Sequence, residues 1–303
     1  MARGPAERLR MERVASTTVP RAPVSTAPPV GDVVRVAPAT GWPGFNLPEL
    51  WRYRSLLFFL VWREIKVRYA QTVLGAAWAV LQPLLTTVVF TVIFGRFARL
   101  PSDGVPYPLF ALAALVPWTY FNTAVSGASN SLLANTGLIT KVYFPRLIIP
   151  AAPVLAAVLD LAVSLVALVA LMLVYGVFPT PAGSMLLVPS VLMMLLTAAG
   201  VGCWLAALNI QYRDVKYVVP FLLQLWMYAS PVVYSLSLVP SQYRLAYAFN
   251  PLAGAIAGFR AALLGTGAPS PTEFGVSLGM AILVFAGGAA YFRRTERVFA
   301  DVA

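Results

Sequence analysis

The sequence predicts an all-α integral membrane protein with six transmembrane helices, and two observations carry this prediction. Of the 303 residues, 59% are apolar and only 11% are charged, whereas an ordinary soluble domain carries about 25% charged residues. Six apolar runs are close to the length of about 20 residues that a helix needs to cross a bilayer. They lack the polar/apolar alternation of membrane β-barrels, and only helices satisfy their backbone hydrogen bonds within one segment.

Residues 1–45 are rich in Pro, Ala, Thr, Val and Arg and have neither helical nor strand periodicity. This composition predicts a disordered cytoplasmic tail. The segment does not resemble a secretory signal, because no apolar stretch follows the early arginines.

Residues 46–71 are predicted to contain an amphipathic helix that lies in the cytoplasmic interface of the membrane, with its apolar face in lipid. Five apolar side chains recur at the spacing of one helix face. Charged side chains occupy the remaining arc, where Glu64 and Arg68 are placed to form a pair four residues apart. The apolar positions are Phe58, Val61, Trp62, Ile65 and Tyr69, and the charged positions are Arg63, Glu64, Lys66 and Arg68.

The charges then stop, and none follows Arg68 until Arg96. A charge at the centre of the bilayer costs about 2.5–3.5 kcal/mol on the insertion scale. The chain is therefore expected to enter the membrane directly after the amphipathic helix.

Residues 72–303 are predicted to form the transmembrane domain. The six apolar runs are roughly 73–94, 109–129, 147–175, 185–208, 218–238 and 274–291. Eighteen of the 22 Lys and Arg residues lie before the first run, after the last run, or in the loops that follow the second and fourth runs. Lys and Arg accumulate in cytoplasmic loops, so both termini are expected in the cytoplasm. In the last run, Gly275 and Gly279 have the spacing that permits close helix packing.

The loop between the fifth and sixth runs, residues 237–273, is long and lies on the outer side in this topology. Its apolar section, residues 251–264, is too short to span a bilayer. The Asn250–Pro251 step is expected to break any helix that enters it. These features predict a pair of short re-entrant or interfacial helices on the outer side.

The residue inventory excludes several kinds of chemistry. The chain has no histidine and one cysteine, Cys203, so it lacks the commonest metal ligand and cannot form an internal disulfide. A nucleotide-binding phosphate loop requires the pair Gly-Lys, but the only lysines are Lys66, Lys141 and Lys216, which follow Ile, Thr and Val. The chain is therefore not expected to hydrolyse ATP or to bind a metal or cofactor itself.

Asp160 is the one carboxylate in the middle of a predicted span. Intramembrane ionisable residues can relay protons or ions in transporters. The alternative is a structural hydrogen bond to a neighbouring helix, and both interpretations stay open at this point.

Aromatic side chains are concentrated in the second and fifth runs. Their rings can stack on sugars while Tyr and Trp also offer a polar tip, so they are candidates for lining a pathway for sugars, although an interfacial aromatic belt explains some of them equally well. The candidates are Trp118, Tyr120, Phe121, Trp226, Tyr228 and Tyr234.

Several long blocks resemble one protein family over residues 46–303. The blocks are REIKVRYAQTVLGAAWAVLQPLL, FTVIFGRF, VPYPLFALAALVPWTYF, NTGLITKVYFPRLIIP, LNIQYRDVKYVVPFLLQLWMYASPVVY, NPLAGAIAGFRAALLG and TERVFADV. They are similar to the permease subunits of polysaccharide ABC exporters of the O-antigen, capsule or teichoic-acid type.

The resemblance implies a homodimer in the bacterial inner membrane that binds two separate cytoplasmic ATPase subunits, which hold ATP and Mg²⁺. It implies a cargo of polysaccharide attached to a polyprenyl diphosphate, and no nucleic-acid partner. Arg63, Lys66 and Arg68 are expected to attract the cargo headgroup. Residues of the coupling loop to the ATPase would be Asn135, Lys141, Tyr143, Phe144 and Arg146, and those of the gate, within residues 240–264, would be Tyr243, Asn250, Pro251, Phe259 and Arg260.

Three alternatives stay open beside this one. An ABC exporter permease for a drug or another lipid would have the same architecture. An ion-coupled transporter would use Asp160 as its relay. A membrane scaffold without transport activity would need no ATPase partner.

Overall fold

The computed structural model describes residues 47–70, 77–139, 141, 144–212 and 214–296, and the structural statements concern these residues alone. Every regular element within them is a helix, which confirms the all-α prediction. The predicted tail, residues 1–45, lies outside the described residues. The helices are α1 Leu47–Arg52, α2 Arg54–Tyr69, α3 Ala77–Phe90, α4 Tyr107–Ala134, α5 Thr136–Ile139, α6 Ile148–Tyr175, α7 Pro181–Ser184, α8 Leu187–Gln211, α9 Val215–Tyr228, α10 Ser241–Tyr247, α11 Pro251–Leu264 and α12 Pro271–Thr295.

Five of these helices are long and apolar enough to cross a membrane: α3 with its π-helical continuation to Phe97, α4, α6, α8 and α12. They correspond to the first, second, third, fourth and sixth predicted spans. The fifth predicted span is shorter than expected, since α9 has 14 residues and ends at Tyr228. At 1.5 Å per residue it measures about 21 Å, less than the hydrocarbon thickness of about 30 Å. The count of six spans therefore stays a prediction.

Proline chemistry accounts for the early end of α9. A proline disfavours helical backbone at the residue before it, and Pro231 follows Ser230 directly. The chain turns there and continues through a short 3-10 segment, Leu236–Leu238, before α10 begins. Hydropathy alone carried the predicted span through this break because residues 231–234 are apolar.

The centre of the bundle is formed by α4, α6 and α8, with α12 packed against α8. Small residues allow the closest of these contacts. A Cβ atom on Gly200 would lie 2.5 Å from the carbonyl oxygen of Val284, and one on Gly288 would overlap Gly200 itself. The glycine pair that was predicted to permit close helix packing makes no such contact, because a Cβ atom added to Gly275 or Gly279 would meet no described atom within 4 Å. The close contact in α12 thus lies nearer its C-terminal end.

Helix α2 runs lengthwise along the first half of α6. Near its middle, Leu60 packs with Ile148 and Ala152, and at its end Arg68 bonds to Asp160. Asp160 is twelve residues into α6, which is about 18 Å along that helix. The structure thus adds a lengthwise contact between α2 and α6. That α2 lies flat in the membrane interface stays a prediction.

The predicted pair between Glu64 and Arg68 is wrong in the structure. Glu64 pairs with Arg63 at 3.1 Å, because the guanidinium of Arg68 is turned inward to a carboxylate on α6. The apolar face that was predicted to contact lipid is exposed in part, since Phe58 and Trp62 are 72% and 49% exposed.

The segment before α12 contains the predicted pair of short helices, α10 and α11. Asn250 caps α11 by accepting a hydrogen bond from the amide of Leu252, and Pro251 is its first residue. Every residue of α11 is buried, and the helix packs against α4, α8 and α12. It is therefore part of the core of the fold, while its depth in a membrane and its role as a gate stay predictions.

Candidate functional site

The aromatic residues predicted in the second span are buried inside the chain. Tyr120 is 1% exposed, and Trp118 and Phe121 are also buried. The rings of Trp118 and Phe121 lie 5.7 Å apart, and Phe121 meets Trp226 of α9 edge-on at 5.3 Å. This cluster packs α9 against α4, so within the single chain these rings form core contacts rather than an open surface.

The remaining aromatic candidates surround the break after α9. The Nε1 of Trp226 donates to Asn250 at 3.0 Å, and the hydroxyl of Tyr234 lies 2.7 Å from that of Tyr247. The side chain of Tyr228 is exposed, and its backbone carbonyl accepts from Tyr234. Burial, and then the hydrogen bond with Tyr234, raise the pKa of Tyr247 above its usual value. The Tyr247 hydroxyl also donates to the carbonyl of Ala229 at 3.0 Å.

Asn250, a predicted gate residue, uses its whole side-chain amide at this break. Its oxygen accepts from Trp226 and from the backbone of Leu252. Its nitrogen donates to the carbonyl of Ala229 at 3.1 Å and to the hydroxyl of Ser230 at 3.0 Å. One side chain therefore joins the end of α9 to the start of α11.

Arg260, a second predicted gate residue, fixes the same break from the other side. It is 3% exposed, and its Nη2 donates to the carbonyl oxygens of Pro231 and Val232 at 3.1 and 3.2 Å. Its guanidinium lies 3.6 Å from the ring centroid of Phe110 on α4. Carbonyl dipoles and an aromatic face thus stabilise this cation. Of the other gate candidates, Phe259 is buried and Tyr243 is exposed.

Two of the three side chains predicted to attract a headgroup are already bound within the protein. Arg63 donates to Asn135 at 2.7 Å as well as to Glu64, and Arg68 forms an ion pair with Asp160. Lys66 is exposed, with its ammonium 5.4 Å from the ring centroid of Trp62. Of the three, Lys66 has the geometry of a free surface cation.

Asp160 is held by two donors from the end of α2. Both Arg68 and the hydroxyl of Tyr69 bond to its carboxylate. The structure therefore has the interhelical hydrogen bond that was one of the two interpretations of this residue. A carboxylate that is satisfied in this way joins α2 to α6.

The predicted coupling loop is fastened at both ends. At its start, buried Asn135 donates to the carbonyl of Ser131 at 2.7 Å and accepts from Arg63. At its end, Arg146 donates to Glu296 through its side chain at 2.6 Å and its backbone at 3.2 Å. Phe144 is buried and Lys141 is exposed. Tyr143 lies outside the described residues.

Sequence reasoning missed a polar cleft beside α4. The cleft is open, has a volume of about 530 Å³, and lies between α4 and the side chains of Glu64, Arg68 and Gln82. Its α4 wall consists of amide, hydroxyl and glycine residues and one alanine, Ala134. The spacing of those residues in the sequence is a signal that could have revealed the cleft, and it is independent of the aromatic and charged side chains.

The fold is that of a multi-pass helical membrane protein, with a polar cleft beside α4 and a hydrogen-bonded break between α9 and α11. Residues 55–264 match the model of the ABC-2 type transporter family. The chain belongs to this family, which makes it a membrane component of an ABC transporter.

Relatives extend the similarity over most of the chain. It is 31% identical over 257 residues to the O-antigen export system permease protein RfbA of Myxococcus xanthus, which covers 84% of this chain and 97% of that protein. It is 27% identical to a protein of the same name from Klebsiella pneumoniae, covering 71% and 82%. It is 26% identical to the polysialic acid transport protein KpsM of Escherichia coli, covering 77% and 91%.

Proposed function

We propose that this chain is the permease subunit of an ATP-driven exporter that moves lipid-linked polysaccharide out of the bacterial cytoplasm. The observation that carries the proposal is the match to 97% of the Myxococcus xanthus O-antigen export permease. Relatives from two further genera are also named for the transport of polysaccharides. The cargo is an O-antigen, capsule or teichoic-acid-like polymer on a polyprenyl diphosphate.

The complete exporter contains two copies of this chain and two ATPase subunits. The absence of a Gly-Lys pair from the sequence supports ATP and Mg²⁺ binding on the ATPase subunits rather than on this one. The chain crosses the inner membrane six times with both termini in the cytoplasm, as the distribution of Lys and Arg favours.

The contacts of residues 135–146 support a route for coupling ATP use to the transmembrane helices. An ATPase that moves this loop would pull on α2 through the bond between Arg63 and Asn135. It would pull on the end of α12 through Arg146 and Glu296. The ion pair between Arg68 and Asp160 extends the first route to α6. These side-chain links, and not the exposed surface alone, carry the motion.

On the outer side, the fully buried α11 supports a gate that opens by moving as part of the core. Asn250 and Arg260 attach it to the broken end of α9. Gate opening then requires that the end of α9 and the start of α11 move together.

The ion pair also bears on the ion-coupled alternative. A proton relay needs a carboxylate that can gain and lose protons during transport, whereas the Asp160 carboxylate is already paired with Arg68. This geometry supports a structural role for Asp160 and gives no support to ion coupling.

Deletion of the chromosomal copy tests the proposal. The expected result is full-length lipid-linked polymer trapped in the cytoplasm and missing from the cell surface, with recovery when the wild-type chain is restored. An unchanged surface polymer in a host with no second exporter would reject polysaccharide as the cargo and leave a smaller amphipathic molecule as the alternative.

A further inference from the structure

The open face of α4 is polar at bilayer depth. From residue 118 to residue 131, all positions that are not buried belong to one set with the spacing of a single helix face. We call this set the polar stripe. Its members are Thr119, Asn122, Thr123, Ser126, Gly127 and Asn130.

The depth of the stripe makes a lipid-facing position costly. Helix α4 has 28 residues and is therefore about 42 Å long, with Thr119 about 18 Å from its first residue. A polar group exposed to hydrocarbon without a partner costs several kcal/mol. The stripe must therefore face water, a polar molecule or another protein segment.

The side chains in the middle of the stripe have unused hydrogen-bonding capacity. The described residues supply no hydrogen bond to the side chains of Asn122, Thr123 and Ser126. On the neighbouring helix α3, by contrast, the hydroxyl of Thr86 is satisfied, because it donates to the carbonyl four residues earlier at 2.9 Å. Asn130 is engaged, since it donates to the Ser126 carbonyl at 2.9 Å. Two amides and three hydroxyls thus line one open face.

The cleft in front of the stripe is electrically balanced. Its charged side chains, Glu64 and Arg68, are paired with Arg63 and Asp160. Its α4 wall is formed mainly by neutral donors and acceptors, together with Gly127 and Ala134. It carries none of the aromatic rings of that helix, since Trp118, Tyr120 and Phe121 are buried elsewhere. These features fit a neutral ligand rich in hydroxyl groups better than an anion or an apolar molecule.

We infer that the polar stripe is the surface along which the sugar part of the cargo passes through the membrane, in contact with the amide of Asn122 and the hydroxyls of Thr123 and Ser126. The inference rests on the proposed function, because that function supplies a glycan as the cargo. It assigns the glycan contacts on α4 to the stripe and gives its aromatic residues a packing role.

Thiol labelling in membranes tests both parts of the inference. In a Cys203→Ala background, which removes the one native thiol, Asn122→Cys and Thr123→Cys are treated with a membrane-impermeant thiol reagent, with Val166→Cys as control. Val166 is 70% exposed on α6 and is expected to face lipid. Stripe cysteines are expected to react at least about tenfold faster, because the reactive thiolate forms in water and not in hydrocarbon.

The glycan contact is tested by labelling the same variants in cells that make the polymer and in cells whose polymer synthesis is blocked. Labelling of the stripe cysteines is expected to fall when polymer is made, while that of the control does not change. Equal rates in both cells would overturn the glycan contact. Unreactive stripe cysteines, or disulfides that form between two copies of the chain, would show that the stripe is packed against lipid or a second copy and would overturn the inference.

Export by conservative variants separates this inference from the proposed function. Asn122→Leu with Thr123→Val is expected to reduce surface polymer, whereas Thr86→Val is expected to leave it unchanged. If deletion of the chain itself leaves surface polymer intact, the proposed function fails. If deletion abolishes polymer but the stripe variants export normally, the inference alone fails.

Discussion

The ion pair between Arg68 and Asp160 is expected to stabilise the attachment of α2 to α6 in a way that a double-variant cycle can measure. The Arg68 side chain is 26% exposed and that of Asp160 is 9% exposed. Replacement of Arg68 by Met leaves a nearly buried carboxylate without its cation. Removal of one partner of a buried ion pair costs about 3–5 kcal/mol. The lower value applies here, because Arg68 is partly exposed and Tyr69 still donates to the carboxylate.

A loss of about 3 kcal/mol corresponds to a decrease of roughly 6 °C in the melting temperature of a chain of this size. The assay is thermal unfolding of the purified exporter in detergent, for Arg68→Met, Asp160→Leu and the combined variant. The combined variant removes both charges, so its melting temperature is expected to recover at least half of the decrease caused by Arg68→Met. Additive losses in the combined variant, or single variants that melt like the wild type, would refute the reasoning.

Three further variants test other contacts. Gly288→Leu would force a side chain into Gly200 and is expected to abolish the monodisperse peak in size-exclusion chromatography, while Gly279→Ala, which has open space, should elute as the wild type does; equal elution of both would contradict the packing described. Asn250→Ala removes four hydrogen bonds and is expected to lower stability by about 2–4 kcal/mol, seen as faster protease cleavage between α9 and α11; unchanged cleavage would argue against a joining role. Trp118→Ala empties a buried site and is expected to cost about 3–5 kcal/mol, so lost export should accompany a lower melting temperature; lost export at an unchanged melting temperature would instead place Trp118 in the pathway.

The long spans could be predicted from the sequence because each one is a continuous apolar run, and hydrocarbon solvent imposes a minimum length on it. The same argument extended the fifth span too far. Apolar residues continue past Pro231, so hydropathy has no signal there, whereas the backbone restriction before proline ends α9 at Tyr228. The end of α9 therefore follows from local backbone chemistry and not from apolar composition.

The faces of α2 show a different limit. Periodicity distinguishes an apolar from a charged arc in this sequence, but it does not say which arc faces the protein. In a membrane protein, both lipid and protein accept apolar side chains, so the decision depends on distant partners. Arg63 meets Asn135, 72 residues away, and Arg68 meets Asp160, 92 residues away. Neither partner can be inferred from local spacing.

The burial of the candidate site residues could not be predicted from residue type alone. Asn250 lies at the predicted Asn250–Pro251 step, and both it and Arg260 donate hydrogen bonds to the chain that follows α9. Their role in a gate stays a prediction. Aromatic rings suit sugars, which is why the sequence predicts a pathway role for those of α4. Large rings also fill a core, and Trp118, Tyr120 and Phe121 do so. The small polar residues of the polar stripe lie on the opposite face of α4 and recur with the spacing of one helix face. A prediction based on aromatic side chains does not include them.

The most direct test of export is polymer movement into inverted inner-membrane vesicles that contain this chain and its ATPase partner. In such vesicles the cytoplasmic face is outside, so exported polymer enters the lumen and becomes resistant to an added glycosidase. Protected polymer is predicted to accumulate only when ATP, this chain and the ATPase are all present, and not with an ATPase variant that cannot hydrolyse ATP. Polymer that stays fully digestible in the complete system, with the ATPase active, would contradict the account.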